Sequence, residues 1–248
     1  MSRRSSTGRR GRRICLAALA LIPALAVPAA SAGAQPGVGE RLSDGRTFAH
    51  WAHPRNAAVV RQLPSSASPQ VARTHPLTED GFLEVYPVLR SVTGRDGRTW
   101  LRIRIPMRPN GTAGWVRDSA FGPLYRVTTR LVIDRGRRQA TLFRSGRRIW
   151  RSPVGVGAAS TPTPAGQFWI REKFTVSDSG GPYGPRAFGT GGYSSLSDWP
   201  GGGVIGVHGT NEPHLIPGTP SHGCVRVPNE SILRLYRLMP IGTPMQVL

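Results

Sequence analysis

Residues 100–105, Trp-Leu-Arg-Ile-Arg-Ile, alternate apolar and arginine side chains, with Leu101, Ile103 and Ile105 on one face. Successive side chains of a strand point to opposite faces, so this pattern specifies a half-buried strand. Phe82–Leu89 repeats it more loosely at Leu83, Val85 and Val88, and Arg130–Asp134 and Gln139–Phe143 are further short candidates. Gly94–Gly97 and Asn110-Gly111 are hairpin turns. Short segments closed by tight turns bury their apolar faces only by forming sheets, so the chain is expected to be mainly β. One helix stands out after residue 228. Asn229 reads as its N-cap, Ile232, Leu235, Tyr236 and Met239 share a face, and Pro240 and Gly242 end it. Pro244–Leu248 reads as a closing strand.

The first 34 residues do not belong to this pattern. Six arginines between Arg3 and Arg13 precede an apolar run from Ile14 to about Ala30, and Ala32-Gly33-Ala34 is a small-residue cleavage site. That is the layout of a secretory signal peptide. Arg12-Arg13 does not by itself choose between the general and twin-arginine routes. Cleavage after Ala34 removes Cys15 and leaves Cys224 as the sole thiol, so the mature chain forms no internal disulfide. A free thiol outside the cytoplasm risks oxidation, and its retention asks for a chemical reason.

Charge bounds the partners. The chain carries 33 basic and 13 acidic residues, and without the six leader arginines the net charge falls from +20 to +14. The arginines are scattered and no recognition motif accompanies them, which argues against nucleic acid and for an anionic cell wall. The membrane is expected to matter only during export, and the location to be secreted, in the cell wall or periplasm.

Residues 35–54 read as a linker. Short strands over about 55–123 suggest a small β-barrel resembling bacterial SH3-like modules. A second β-rich domain fills 124–248. Within it, residues 177–203 are dense in glycine without a period, and such a long irregular segment ahead of a reactive cysteine is a candidate substrate lid.

The chemistry concentrates in residues 208–229. His208, His214 and His222 fall there with Cys224, which follows Ser221-His222-Gly223. A thiolate is the working nucleophile and a neutral imidazole the best base near pH 7. His222, two residues before Cys224, is poorly spaced for a direct bond to sulfur, so His208, arriving on a separate strand, is the expected base. Its orientation is expected from a backbone carbonyl. Backbone N–H groups of the His222-Gly223-Cys224 turn are expected to hold an oxyanion. A structural role for His222, holding Ser221 or the loop, stays open, and His214 reads as exposed. Zinc is not expected, because paired Cys-x-x-Cys and the His-x-Glu signature are both missing. No cofactor is expected.

His208, a spacer, then Ser221-His222-Gly223-Cys224-Val225-Arg226 resembles the signature of L,D-transpeptidases with the YkuD-type catalytic domain. Thr161–Phe168 and Gly242-Thr243-Pro244 are similar to the same family's pattern. The resemblance spans residues 126–248. It implies a YkuD-like β-sandwich with one short C-terminal helix, acting on peptidoglycan stem peptides. Cys224 would be the nucleophile and His208 the base, oriented by the Gly209 carbonyl. His222 and Gly223 would serve the oxyanion side. Arg226 would contact a substrate carboxylate or the loop, and Ser221, Tyr193 and Asn229 are further substrate-binding candidates. The reaction implied is a 3→3 cross-link through a Cys224 thioester, and carbapenem acylation of the same sulfur is expected. Water as acceptor, an L,D-carboxypeptidase, is the nearest alternative. A non-catalytic wall-binding protein is the third, although a binder has no need of His208, His222 and Cys224 together.

Overall fold

The computed structural model describes residues 39–94, 96–198 and 200–248. The expected signal peptide and residues 35–38 of the expected linker lie outside them.

Seven strands build one antiparallel sheet: β1 (Ala49–Ala52), β2 (Val59–Arg61), β3 (Gln70–Arg73), β4 (Tyr86–Thr93), β5 (Thr99–Arg104), β6 (Ala113–Arg117) and β7 (Tyr125–Val127). Their order is β3-β2-β6-β5-β4-β1-β7. The alternation of β5 does what the pattern requires: Leu101 and Ile103 are buried with Val60, Tyr86, Val88 and Val116, while Arg102 on the other face is exposed. The sheet extends beyond the expected 55–123 module at both ends. Residues 49–52, placed by the sequence reading inside a 35–54 linker, form β1 and pair with both β4 and β7. Ala-His-Trp-Ala has no aliphatic alternation to announce a strand, yet Ala52 is fully buried. β7, placed by the sequence reading in the second domain, pairs with β1 and so belongs to this sheet.

The remaining elements are β8 (Thr129–Asp134), β9 (Gln139–Arg144), β10 (Arg147–Pro153), β11 (Gly155–Gly157), β12 (Gly166–Trp169), β13 (Phe174–Thr175), β14 (Arg186–Tyr193), β15 (Val204–His208), β16 (Gly218–Ser221), β17 (Val225–Arg226), α1 (Asn229–Leu238) and β18 (Pro244–Val247). They form two sheets, β10-β9-β8-β18-β12 and β13-β14-β15-β17-β11-β16. One core joins them: Leu131, Ile133 and Leu142 from the first, Val156, Val207 and Val225 from the second, and Ile232 and Leu235 from α1. The closing strand β18 pairs parallel to β8 and antiparallel to β12.

The expected lid at 177–203 is corrected in its middle third. Residues 186–193 are β14, an inner strand buried from Phe188 onward. Three of its residues are glycines and leave no side-chain period to read. Their absence of side chains is what the packing uses: a Cβ on Gly191 would lie 2.5 Å from the Trp169 ring, and one on Gly192 would lie 2.6 Å from the Phe168 ring.

Candidate active site

β15 and β17 run parallel, with Val207 opposite Val225 and His208 opposite Arg226. One step back along this register, Gly206 faces Cys224. Its N–H donates to Cys224 Sγ at 3.3 Å. A Cβ on Gly206 would lie 3.6 Å from Sγ and 3.6 Å from the His208 ring, so thiol and imidazole flank the same bare point of the strand. Both line a cavity of about 220 Å³, together with Tyr183, Ser194, His222 and Arg226. Among the described residues no three His, Cys, Asp or Glu side chains gather as a metal-binding group.

His208 is only 5% exposed. Its Nδ1 lies 2.6 Å from the Gly209 carbonyl oxygen, the orienting carbonyl that the family resemblance implied. With Nδ1 donating to that oxygen, Nε2 is left as the nitrogen that exchanges a proton. The Tyr183 ring packs edge-on to the imidazole at 4.9 Å. Burial, reinforced by the charge of Arg226 and opposed by the Gly209 carbonyl, pulls His208 down to about 4. Burial likewise pushes the Cys224 thiol up, against the Gly206 N–H and Arg226, which favour the thiolate. Both shifts favour the uncharged forms, thiol and neutral imidazole, at neutral pH.

The turn carrying the cysteine is braced from within. Ser221 Oγ donates to the Cys224 carbonyl at 2.6 Å and accepts the Gly223 N–H at 3.2 Å. Gly223 sits at φ 123°, where L side chains are strained. Thr163, fully buried, donates to the Gly223 carbonyl at 2.8 Å and accepts the Gly157 N–H at 2.9 Å. That ties the Thr-Pro-Thr-Pro segment to the cysteine turn.

The other expected site residues divide. His222 lies in the cavity, exposed at its rim. Arg226 donates to Glu212 Oε2 at 2.7 Å, so it holds the loop after β15. Asn229 is not an N-cap, since Pro228 occupies that position and Asn229 is the first helical residue. Its Oδ1 instead accepts the Thr210 N–H at 2.9 Å, fixing the chain just past His208. Tyr193 does not line the cavity. Its hydroxyl donates to Glu79 at 2.7 Å, and the ring nearest the site is that of Tyr183. Sequence reasoning passed over Tyr183 and Thr163 because their contacts join segments distant in the chain. Only the Thr161–Phe168 motif pointed towards one of them.

Comparison with known proteins agrees with the location of these features. Residues 128–247 match the L,D-transpeptidase catalytic domain model, YkuD. The putative L,D-transpeptidase YkuD of Bacillus subtilis is 31% identical over 119 residues, 48% of this chain and 65% of the relative. Its counterpart from Bacillus licheniformis is 31% identical over 49% of this chain and 66% of that relative. The chain thus spans just under two thirds of the length of either relative. Among solved structures, L,D-transpeptidase 3 from Mycobacterium tuberculosis aligns with 79% of this chain and 95% of its own, at 15% identity and a TM-score of 0.41. The matched residues 128–247 hold the cysteine turn, His208 and the sheets that place them, so the similarity to the L,D-transpeptidase catalytic domain falls on the part of the chain that builds this site.

Proposed function

We propose that the protein is a peptidoglycan L,D-transpeptidase that works through a thioester on Cys224. The observation that carries this reading is the placement of Cys224 Sγ and His208 on either side of Gly206 in one cavity. His208 Nε2 takes the thiol proton as Sγ attacks the carbonyl of the third, diamino-acid residue of a tetrapeptide stem. The tetrahedral oxyanion is met by N–H groups of the His222–Cys224 turn, with Gly223 exchanging its 3.2 Å bond to Ser221 for the substrate oxygen. Collapse breaks the bond to the terminal D-alanine, whose nitrogen receives the proton from His208, and leaves the thioester. An amine of a second stem, deprotonated by His208, then attacks the thioester carbonyl. Expulsion of sulfur forms the 3→3 amide and restores the thiol.

Export by the N-terminal leader, and an accessory SH3-like role for the N-terminal sheet, belong to the same proposal. They would place a single-thiol enzyme at the cell wall. The test is intact-mass analysis of the protein with a carbapenem, whose strained carbonyl needs the same nucleophile, followed by disaccharide tetrapeptide. One adduct on the wild type is expected, with none on Cys224→Ala and a sharply slower one on His208→Ala. Dimeric product from the tetrapeptide marks transfer, and tripeptide alone would show water as the acceptor. A folded wild type that forms no adduct would overturn the reading.

A further inference from the structure

The N-terminal sheet carries a second cavity whose lining points to an anionic ligand. Across three neighbouring segments Arg41 lies opposite Arg90, and Arg90 opposite Arg102. Directly opposed residues share a face with their Cβ atoms about 5 Å apart, and like charges placed so repel each other. These three arginines, with Ser43 and Leu89, line a cavity of about 520 Å³, and no carboxylate lines it. A neighbouring cavity of about 350 Å³ shares Ser43 and Leu89 and adds Arg46, Arg104 and Arg130. Asp44 is its one acid, and that carboxylate is turned to the N–H groups of Arg46, Thr47 and Phe48. None of the ion pairs among the described residues involves any of these six arginines. Arg130 Nε is buried without a hydrogen-bond partner.

We infer that this run of arginines is a binding site for a linear phosphate-bearing polyanion without bases. Guanidinium forks match phosphate oxygens two at a time, and an anion between opposed arginines converts their repulsion into attraction. The two adjoining cavities offer more room than one phosphate fills, which favours a repeating chain. Proteins that grip single-stranded nucleic acid stack bases on aromatic rings. No ring lines the larger cavity, and Phe168 and Trp169 at the smaller are 4% and 2% exposed, too buried to receive a base.

The test is titration of the full chain with poly(glycerol phosphate), polygalacturonate and oligo(dT) over a range of salt. Arg90→Gln/Arg102→Gln removes two exposed members of the row. Arg147→Gln/Arg148→Gln removes two exposed arginines on β10 and is the control of equal charge. The phosphate polymer is expected to bind best. The row variant should weaken it about tenfold or more and flatten its salt dependence, as loss of phosphate contacts does. The β10 variant should stay within about twofold under the same reasoning. Should the row variant unfold, Arg41→Gln, at a third exposed position, takes its place. Equal losses in both pairs would reduce the effect to net charge and overturn the site. Equal binding of polygalacturonate, or tighter binding of oligo(dT), would overturn the ligand class.

Discussion

Two residues set the pH behaviour. An imidazole pulled down to about 4 stays neutral through the physiological range, and a thiol pushed above its usual value stays protonated there. Acylation of Cys224 by a carbapenem should therefore show no step where histidines ordinarily titrate, and should fall only as pH drops through about 4. A profile with its acid limb near 6.5, the ordinary histidine value, would contradict this arrangement. The same depression makes a stability statement. Between the ordinary value and about 4, the unfolded chain binds a proton that native His208 refuses. Stability therefore falls as pH is lowered across that window and is complete above it. The loss should reach about 3 kcal/mol at its acid end. Urea unfolding of wild type against His208→Gln at pH 4.5 and 7 measures it, the variant being flatter. Gly223 makes a separate prediction. At φ 123° an alanine Cβ would lie 2.9 Å from Ile205 and 3.3 Å from Ser194. Gly223→Ala should cost about 1–3 kcal/mol and abolish the adduct, checked by denaturation and intact mass.

At the scale of elements, what was legible followed the side chains. β5, β18 and α1 announce themselves by period, and the clustering of histidines around one cysteine pointed to the residues that share the cavity, Cys224, His208 and His222. β14 was hidden because glycines carry its buried face, and β1 because its only large inward residue is Trp51. Also hidden was the support of the cavity wall, since it arrives from the other sheet. Arg108, in the loop after β5, donates to the carbonyls of Ser194 at 2.9 Å, Leu196 at 3.2 Å and Gly202 at 2.9 Å. Asn110 exchanges two hydrogen bonds with the Tyr193 backbone, at 2.7 and 3.0 Å. The segment so held runs into Gly203, Val204 and Ile205, which line the cysteine cavity. Arg108 is a positioning residue for that wall. Arg108→Ala should weaken apparent carbapenem or stem-peptide affinity about tenfold while changing the rate at saturation less, and should speed proteolysis within 194–203. Lysine should rescue it only in part, because an ammonium has no second nitrogen to match the Nε and Nη2 that Arg108 places together on the Ser194 carbonyl. Unchanged kinetics in both variants would mean that the wall holds itself.

At the scale of the whole molecule, the N-terminal sheet and the two C-terminal sheets are joined by polar groups taken out of water. Arg171, on the segment after β12, donates through Nε to Glu84 Oε1 at 2.8 Å and through Nη2 to the second Glu84 oxygen. The same Nη2 reaches Glu79 at 2.9 Å, and Tyr193 donates to Glu79 from the other side. The Arg171 and Glu84 side chains are each 2% exposed. Beside them Trp169 Nε1 donates to the Val85 carbonyl at 2.7 Å, within an apolar cluster drawn from both parts. Removing one member of a buried pair leaves the other charge without water or partner, whereas removing both exchanges the pair for apolar contact. Arg171→Met is therefore expected to cost about 3–5 kcal/mol, and Arg171→Met/Glu84→Met to recover most of it. A double-mutant cycle by denaturant unfolding decides this. Near-zero coupling would mean that the pair is effectively hydrated and that the apolar cluster alone joins the two parts. Strong coupling accompanied by a single unfolding transition would make the N-terminal sheet and the cysteine-bearing sheets one folding unit, since Tyr193, which donates to Glu79, directly precedes the segment that Arg108 holds.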